Sequence, residues 1–200
     1  MNDLTARVRA VCDLNVAEVR EYAGRHEYDG VMQDLSPSGV AAALARLAAA
    51  RESGEPLPDA HDEAHLRAFE DLQRVVYGDL ELHRSNPMFL LGELDLACYD
   101  KEYAPVAERD AARAAHLAAW PETIDGALRS LDKVAAPVAD ALLSGIRGLA
   151  AGIPADADPA VRDAALIAHG RLVAHIERAA KEGPTDPALG ADALAKLLGT

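Results

Sequence analysis

Apolar residues along the chain recur at three- and four-residue steps, and nowhere do they alternate with period two. The pattern predicts helices and no strands. A first helical stretch is expected from about Asp3 to Tyr22, broken near Asp13 and ended at Gly24. The polar run "RHEYDGVMQDLSPSG" reads as a loop, with Gly30 at a turn. Ser36 then caps a helix that has Pro37 at its first position, runs to Ser53 and stops at Gly54.

After the linker "GEPLP", Asp59 opens a helix with Leu66, Phe69, Leu72, Val76 and Leu80 as its apolar stripe. "HRSNP" breaks that helix, because Pro87 pushes the residue before it out of helical geometry. "MFLLGELDLACY", the most apolar segment, reads as a short buried helix. "APVAERDAARAAHLAAW" is a helix ended or kinked by Pro121, and "PETIDGALRSL" a further helix starting on that proline. Pro137 starts another, closing at Gly152, and Asp158–Pro159 caps a long one reaching Glu182 before Gly183 and Pro184. The tail carries one or two weak helical turns. The expected architecture is all-α, a single domain over residues 1–200, with about eight helices in an irregular bundle.

Composition agrees with this reading. Half of the residues are apolar but only 4% are aromatic, so alanine-rich helices should approach closely, with Leu and Val filling the seams. The net charge of −13 repels nucleic-acid phosphates and anionic membrane surfaces, so neither is expected as a partner. No stretch reaches the roughly 18 apolar residues needed to span a bilayer. The N-terminal "MNDLTARVRA" lacks the basic and apolar regions of a secretory signal. Cys12 and Cys98 form no C-x-x-C and are expected as reduced, packed thiols, which makes a cytoplasmic protein the expectation.

"DAHDEAH" (residues 59–65) sets His61 and His65 four apart, the spacing of the zinc-protease pattern H-E-x-x-H. Here Asp62 stands where that pattern needs Glu, and Glu63 falls one place late, facing away. A third ligand is missing too: on a continuous helix His83 would lie about 27 Å from His65. His26, His116, His169 and His175 could approach only through folding. A capped helix start accounts for every residue: Asp59 caps, and Asp62 and Glu63 complement the helix dipole. His61 and His65 remain the candidate metal ligands; no catalytic residue and no cofactor is expected.

Other chemistry is equally sparse. Ser38, Ser130 and Ser144 sit in no G-x-S-x-G elbow, and Gly145, Gly148 and Gly152 follow no phosphate-loop order. Glu93, Asp95, Asp100 and Glu102 read as a solvated helix end.

Two stretches carry a resemblance. "EYAGRHEYDGVMQDLSP" and "NPMFLLGELDLACYDKEYAPVAERDAARAAHLAAWPETIDGAL" resemble the N-terminal and middle sections of the bacterial domain-of-unknown-function family 885. The matching features are Asn86-Pro87, Tyr103-Ala104-Pro105, Glu108-Arg109 and Pro121, in order, most clearly over residues 15–150. The resemblance implies the helical N-terminal region of a zinc-metallopeptidase-like protein. That family's metal motif, a His-Glu variant with Pro-Gly-His, lies several hundred residues from the N-terminus, and no such segment precedes Thr200. Two functions follow as expectations. One is a non-catalytic substrate-cleft wall or interaction module, forming a homo-oligomer or binding a protein partner through an exposed apolar patch near Met88, Phe89, Leu90 and Leu91. The other is a stand-alone bundle that binds a small molecule, or a metal through His61 and His65.

Overall fold

The structure, a computed structural model, describes residues 4–200, so the expected helix start at Asp3 lies outside the described residues. Among them are nine α-helices and no strand. The first expected helix is two, α1 (Ala6–Cys12) and α2 (Val16–Glu21), parted near Asp13 as the pattern predicts. Gly24 and Gly30 both adopt left-handed φ, +60° and +74°. At Gly30 a Cβ would lie 3.1 Å from the Ala115 Cβ, so the loop approaches the later helix closely there.

Ser36 Oγ accepts the Gly39 N–H and starts α3 (Pro37–Ser53). Asp59 caps α4 (Ala60–Gln73) by accepting the N–H groups of His61 and Asp62. The helix then widens into a π-helical segment, Arg74–Asp79, marked by the five-residue bond from Leu80 N–H to the Val75 carbonyl. A short 3-10 turn at Leu82–Arg84 leads to α5 (Met88–Leu94).

One expectation is corrected at α6 (Val106–Leu128), a single helix that runs through Pro121. The proline removes the N–H that would bond the Leu117 carbonyl, a cost of about 3 kcal/mol. Leu117, Trp120, Ile124 and Ala127 flank it, all buried, and α8 packs along this face, so tertiary packing overrides the local signal. Then come α7 (Ala136–Gly148), α8 (Pro159–Glu182, capped by Asp158) and α9 (Ala191–Leu198).

Helix α8 lies against both α6 and α7, α1 and α4 pack on α3, and α5 touches α2, α6 and α7. One hydrophobic cluster runs from Ala10 to Ile176 through α1, α3, α5, α6, α7 and α8, with Ala139, Ala165 and Ala168 among its fully buried members. No helix among the described residues is long and apolar enough to cross a membrane.

The segment expected to expose an apolar patch is instead largely core. Of Met88, Phe89, Leu90 and Leu91, only Met88 is exposed; Leu90 is buried, and Phe89 packs edge-on against Tyr77, ring centroids 5.4 Å apart. Helix α4 is corrected likewise. Phe69 is 53% exposed, while Leu66, Glu70 and Gln73 face inward. A carboxylate can occupy that face because Arg7, from α1, meets it in a two-toothed pair of 2.7 and 2.9 Å.

Candidate functional site

The exposed imidazoles of His61 and His65 stack at a tilt on the surface of α4, ring centroids 4.2 Å apart. No group of three or more His, Cys, Asp or Glu side chains converges on a metal-sized point among the described residues. Glu63 turns from the two histidines toward the protein. It accepts the Leu57 N–H and two bonds from Arg7, which hold its carboxyl down at about 2. Glu63, the acid one place late for the motif, thus belongs to a structural ion cluster with Arg7, Glu70 and Arg67.

The functional geometry lies further along the same helix. His83 was placed by sequence on a continuous helix, yet the helix ends at the π-helical segment and His83 sits on the turn beyond it. There it lines a cleft of about 320 Å³, at the lower end of the range for small-molecule pockets. Val40, Ala41 and Leu44 of α3 supply an apolar floor, Tyr77 and Gly78 of the π-helical segment a wall, and Arg129 and Ser130, after α6, the opposite side.

Three features mark this cleft. The first is the π-helical segment itself, a costly irregularity that recurs at functional sites. The second is Glu81, in the left-handed region at φ +48°, a conformation strained for a residue with a long side chain. Side-chain pairs hold it there. Glu81 Oε2 accepts from Arg84 (2.8 Å) and Lys133 (2.7 Å), and Arg84 also grips Asp132 at 2.9 and 2.6 Å. The third is His83, 6% exposed, whose buried Nδ1 has no hydrogen-bond partner in the protein. Burial pushes its pKa below the ordinary imidazole value, so it is neutral near pH 7.

Behind the wall runs a buried polar chain. Tyr77 donates to Gln33 Oε1 at 3.3 Å, and the Gln33 N–H donates to Glu93 Oε2 at 3.0 Å. Glu93 Oε1 accepts the Ala17 N–H and so caps α2 from a distance. Glu93 is therefore buried and structural rather than part of a solvated helix end, and desolvation raises its pKa. Its carbonyl can only accept, so His116 Nε2 donates to it at 2.6 Å and His116 Nδ1 accepts from Tyr99 at 3.0 Å. Tyr99 in turn accepts the Gly30 N–H.

Nucleophiles near or beyond the cleft are occupied. Ser130 is buried and donates to the Leu35 carbonyl at 2.6 Å, and burial pushes the Cys98 thiol up. What the cleft can do is hold a small molecule between an apolar floor and a polar edge. Sequence reading missed it because its residues come from three separated stretches, although Gly78 inside an apolar helix was an available signal.

A second hollow, about 360 Å³, lies between Leu44, Leu47, Ala48 and Gly78, with Arg51 and Glu70 at its side. Those charges are spent on each other and on Asp71. Comparison of the chain with protein-family models, with curated proteins and with solved structures gives no match in any of the three.

Proposed function

We propose that this chain is a non-catalytic helical binding module whose working surface is the cleft between α3, the π-helical turn and the end of α6. The observation that carries the reading is a cleft of ligand size with the almost wholly buried ring of His83 on its wall. Its Nδ1 is buried without a partner at a cost of about 1–3 kcal/mol, which leaves Nε2 as the ring nitrogen that can meet a ligand. The strain at Glu81 and the π-helical turn lie on the same wall, where backbone irregularity commonly accompanies binding. The engaged Ser130 hydroxyl supports binding rather than acyl transfer. If the resemblance to the metallopeptidase-like family holds, this cleft is the helical region's share of a substrate path.

The test is a titration of the ¹⁵N-labelled chain with three six-carbon probes: hexanoate, hexanamide and hexan-1-ol. At least one should move the amide signals of Gly78 and Ser130 saturably, and an Ala41→Trp variant, which fills the floor from an exposed position, should abolish the shifts. If all three leave those signals in place, the binding reading fails.

Metal binding through His61 and His65 is the second reading, favoured by the closeness of the two rings. Stoichiometric zinc in the purified protein, lost in a His65→Ala variant, would establish it.

A further inference from the structure

The chemistry of the cleft narrows what it takes, and the inference rests on the binding reading above. We propose that the ligand is a small carboxylic acid with an apolar tail, its carboxylate held by Arg129 and His83 and its tail on Val40, Ala41 and Leu44.

Charge distribution at the cleft favours an anion. Arg84 is fully used, with Nε and one terminal nitrogen on Asp132 and the other on Glu81. Glu81 is also consumed, by Arg84 and Lys133. Arg129 differs: one terminal nitrogen donates to the Asp125 backbone carbonyl at 3.0 Å, and no carboxylate pairs with it among the described residues. Arg129 is thus, among the described residues, the one lining cation outside the ion pairs of the cleft, with Asp34 near it beside Gly126 but not paired to it. An anionic ligand at Arg129 need break no existing ion pair.

The number of free donors favours carboxylate over phosphate. A guanidinium fork meets the two oxygens of a carboxylate in a planar, two-bond geometry. A phosphate dianion needs more compensating charge than one free arginine supplies. His83, neutral in the absence of ligand, has one N–H to donate and costs little to keep buried. The apolar floor then requires a tail, because Val40, Ala41 and Leu44 offer no polar side-chain atom.

The test extends the titration with acetate and inorganic phosphate as further probes, and with an Arg129→Gln variant. Arg129 is exposed, so the substitution should leave the fold intact, as circular dichroism can verify. Hexanoate should bind about tenfold more tightly than hexanamide and than acetate, the size of one charge-assisted hydrogen-bonding contact or one well-covered tail. Arg129→Gln should bring hexanoate down to about the level of hexanamide, a larger loss than hexanamide itself suffers, and His83→Asn should weaken hexanoate. Equal binding of hexanoate and hexanamide, or a preference that survives Arg129→Gln, overturns the carboxylate assignment and leaves the binding reading standing. Phosphate or acetate matching hexanoate overturns the assignment of an apolar tail. Failure of every probe to reach Gly78 and Ser130 removes the binding reading itself.

Discussion

Two buried ionisable residues set the behaviour of the molecule at the residue scale. Glu70 is 1% exposed, and Arg7, its partner, is 4% exposed. Taking two charges out of water is costly, so such a pair adds little net stability, but removing one member strands the other. Arg7→Met, which strands both Glu70 and Glu63, should therefore lower unfolding free energy by about 3–5 kcal/mol in urea titrations, while adding Glu70→Leu should recover part of that loss. A single variant as stable as the parent would show that solvent already reaches the pair. His116 gives the pH prediction. Burial lowers its pKa from 6.5 to about 3, so between those values the unfolded chain holds a proton that the folded chain refuses. Stability should be full above pH 6.5 and decline as pH falls toward 3, by up to about 1.4 kcal/mol per pH unit. His83, also lowered by burial, acts in the same direction. Glu93 opposes them: its raised pKa makes the folded state hold a proton more readily, so its contribution is lost as pH rises above 4.5. Urea midpoints between pH 7.5 and 5 should fall less steeply in His116→Gln than in the parent, and Glu93→Gln should steepen the decline.

Among the elements, those whose ends carry their own signals were legible in the sequence. Ser36-Pro37 and Asp158-Pro159 fixed the starts of α3 and α8, because a side-chain oxygen and a proline act locally whatever the tertiary setting. Pro121 was read as a boundary for the same local reason, and there packing against α8 prevailed. The buried face of α4 was misread because a hydrophobic pattern assigns Glu70 to solvent, and only Arg7, 63 residues earlier, makes its burial tolerable. The cleft was illegible for a related reason: a π-helical turn and a left-handed Glu81 leave no periodic trace. At the other extreme, α9 has no buried residue and packs only weakly, on the π-helical segment, where Lys196 meets Asp79 at 3.0 Å. Removing residues 186–200 should change unfolding free energy by less than about 1 kcal/mol, since exposed ion pairs contribute little. The α9 amides should exchange with solvent far faster than those of α8, and slow exchange there would show docking stronger than these contacts provide.

For the whole molecule, α8 packs on α6 and α7 across buried alanines. Ala139, Ala165 and Ala168 are fully buried, so the helices approach at distances only a methyl group allows. Ala168→Leu should cost about 1–3 kcal/mol through overpacking and disturb the α8 signals more than those of α3 and the π-helical turn, which do not contact α8 closely. A cleft that loses its probe binding in this variant would show that the two halves are mechanically coupled. The all-α class was readable because alanine content and three-to-four spacing act over the whole chain. The working surface was not, because its residues are brought together by folding alone.

The π-helical turn also fixes a phase. Each residue in an α-helix turns the chain by about 100°, so the extra residue accommodated between Arg74 and Asp79 resets the angle at which everything beyond it leaves α4. The inward face upstream, with Leu66 and Glu70, belongs to the core, while His83 downstream belongs to the cleft. The two obligations are out of step in an ideal helix. The irregular turn reconciles them, and the length of this stretch is therefore as tightly constrained as the identity of any side chain in it.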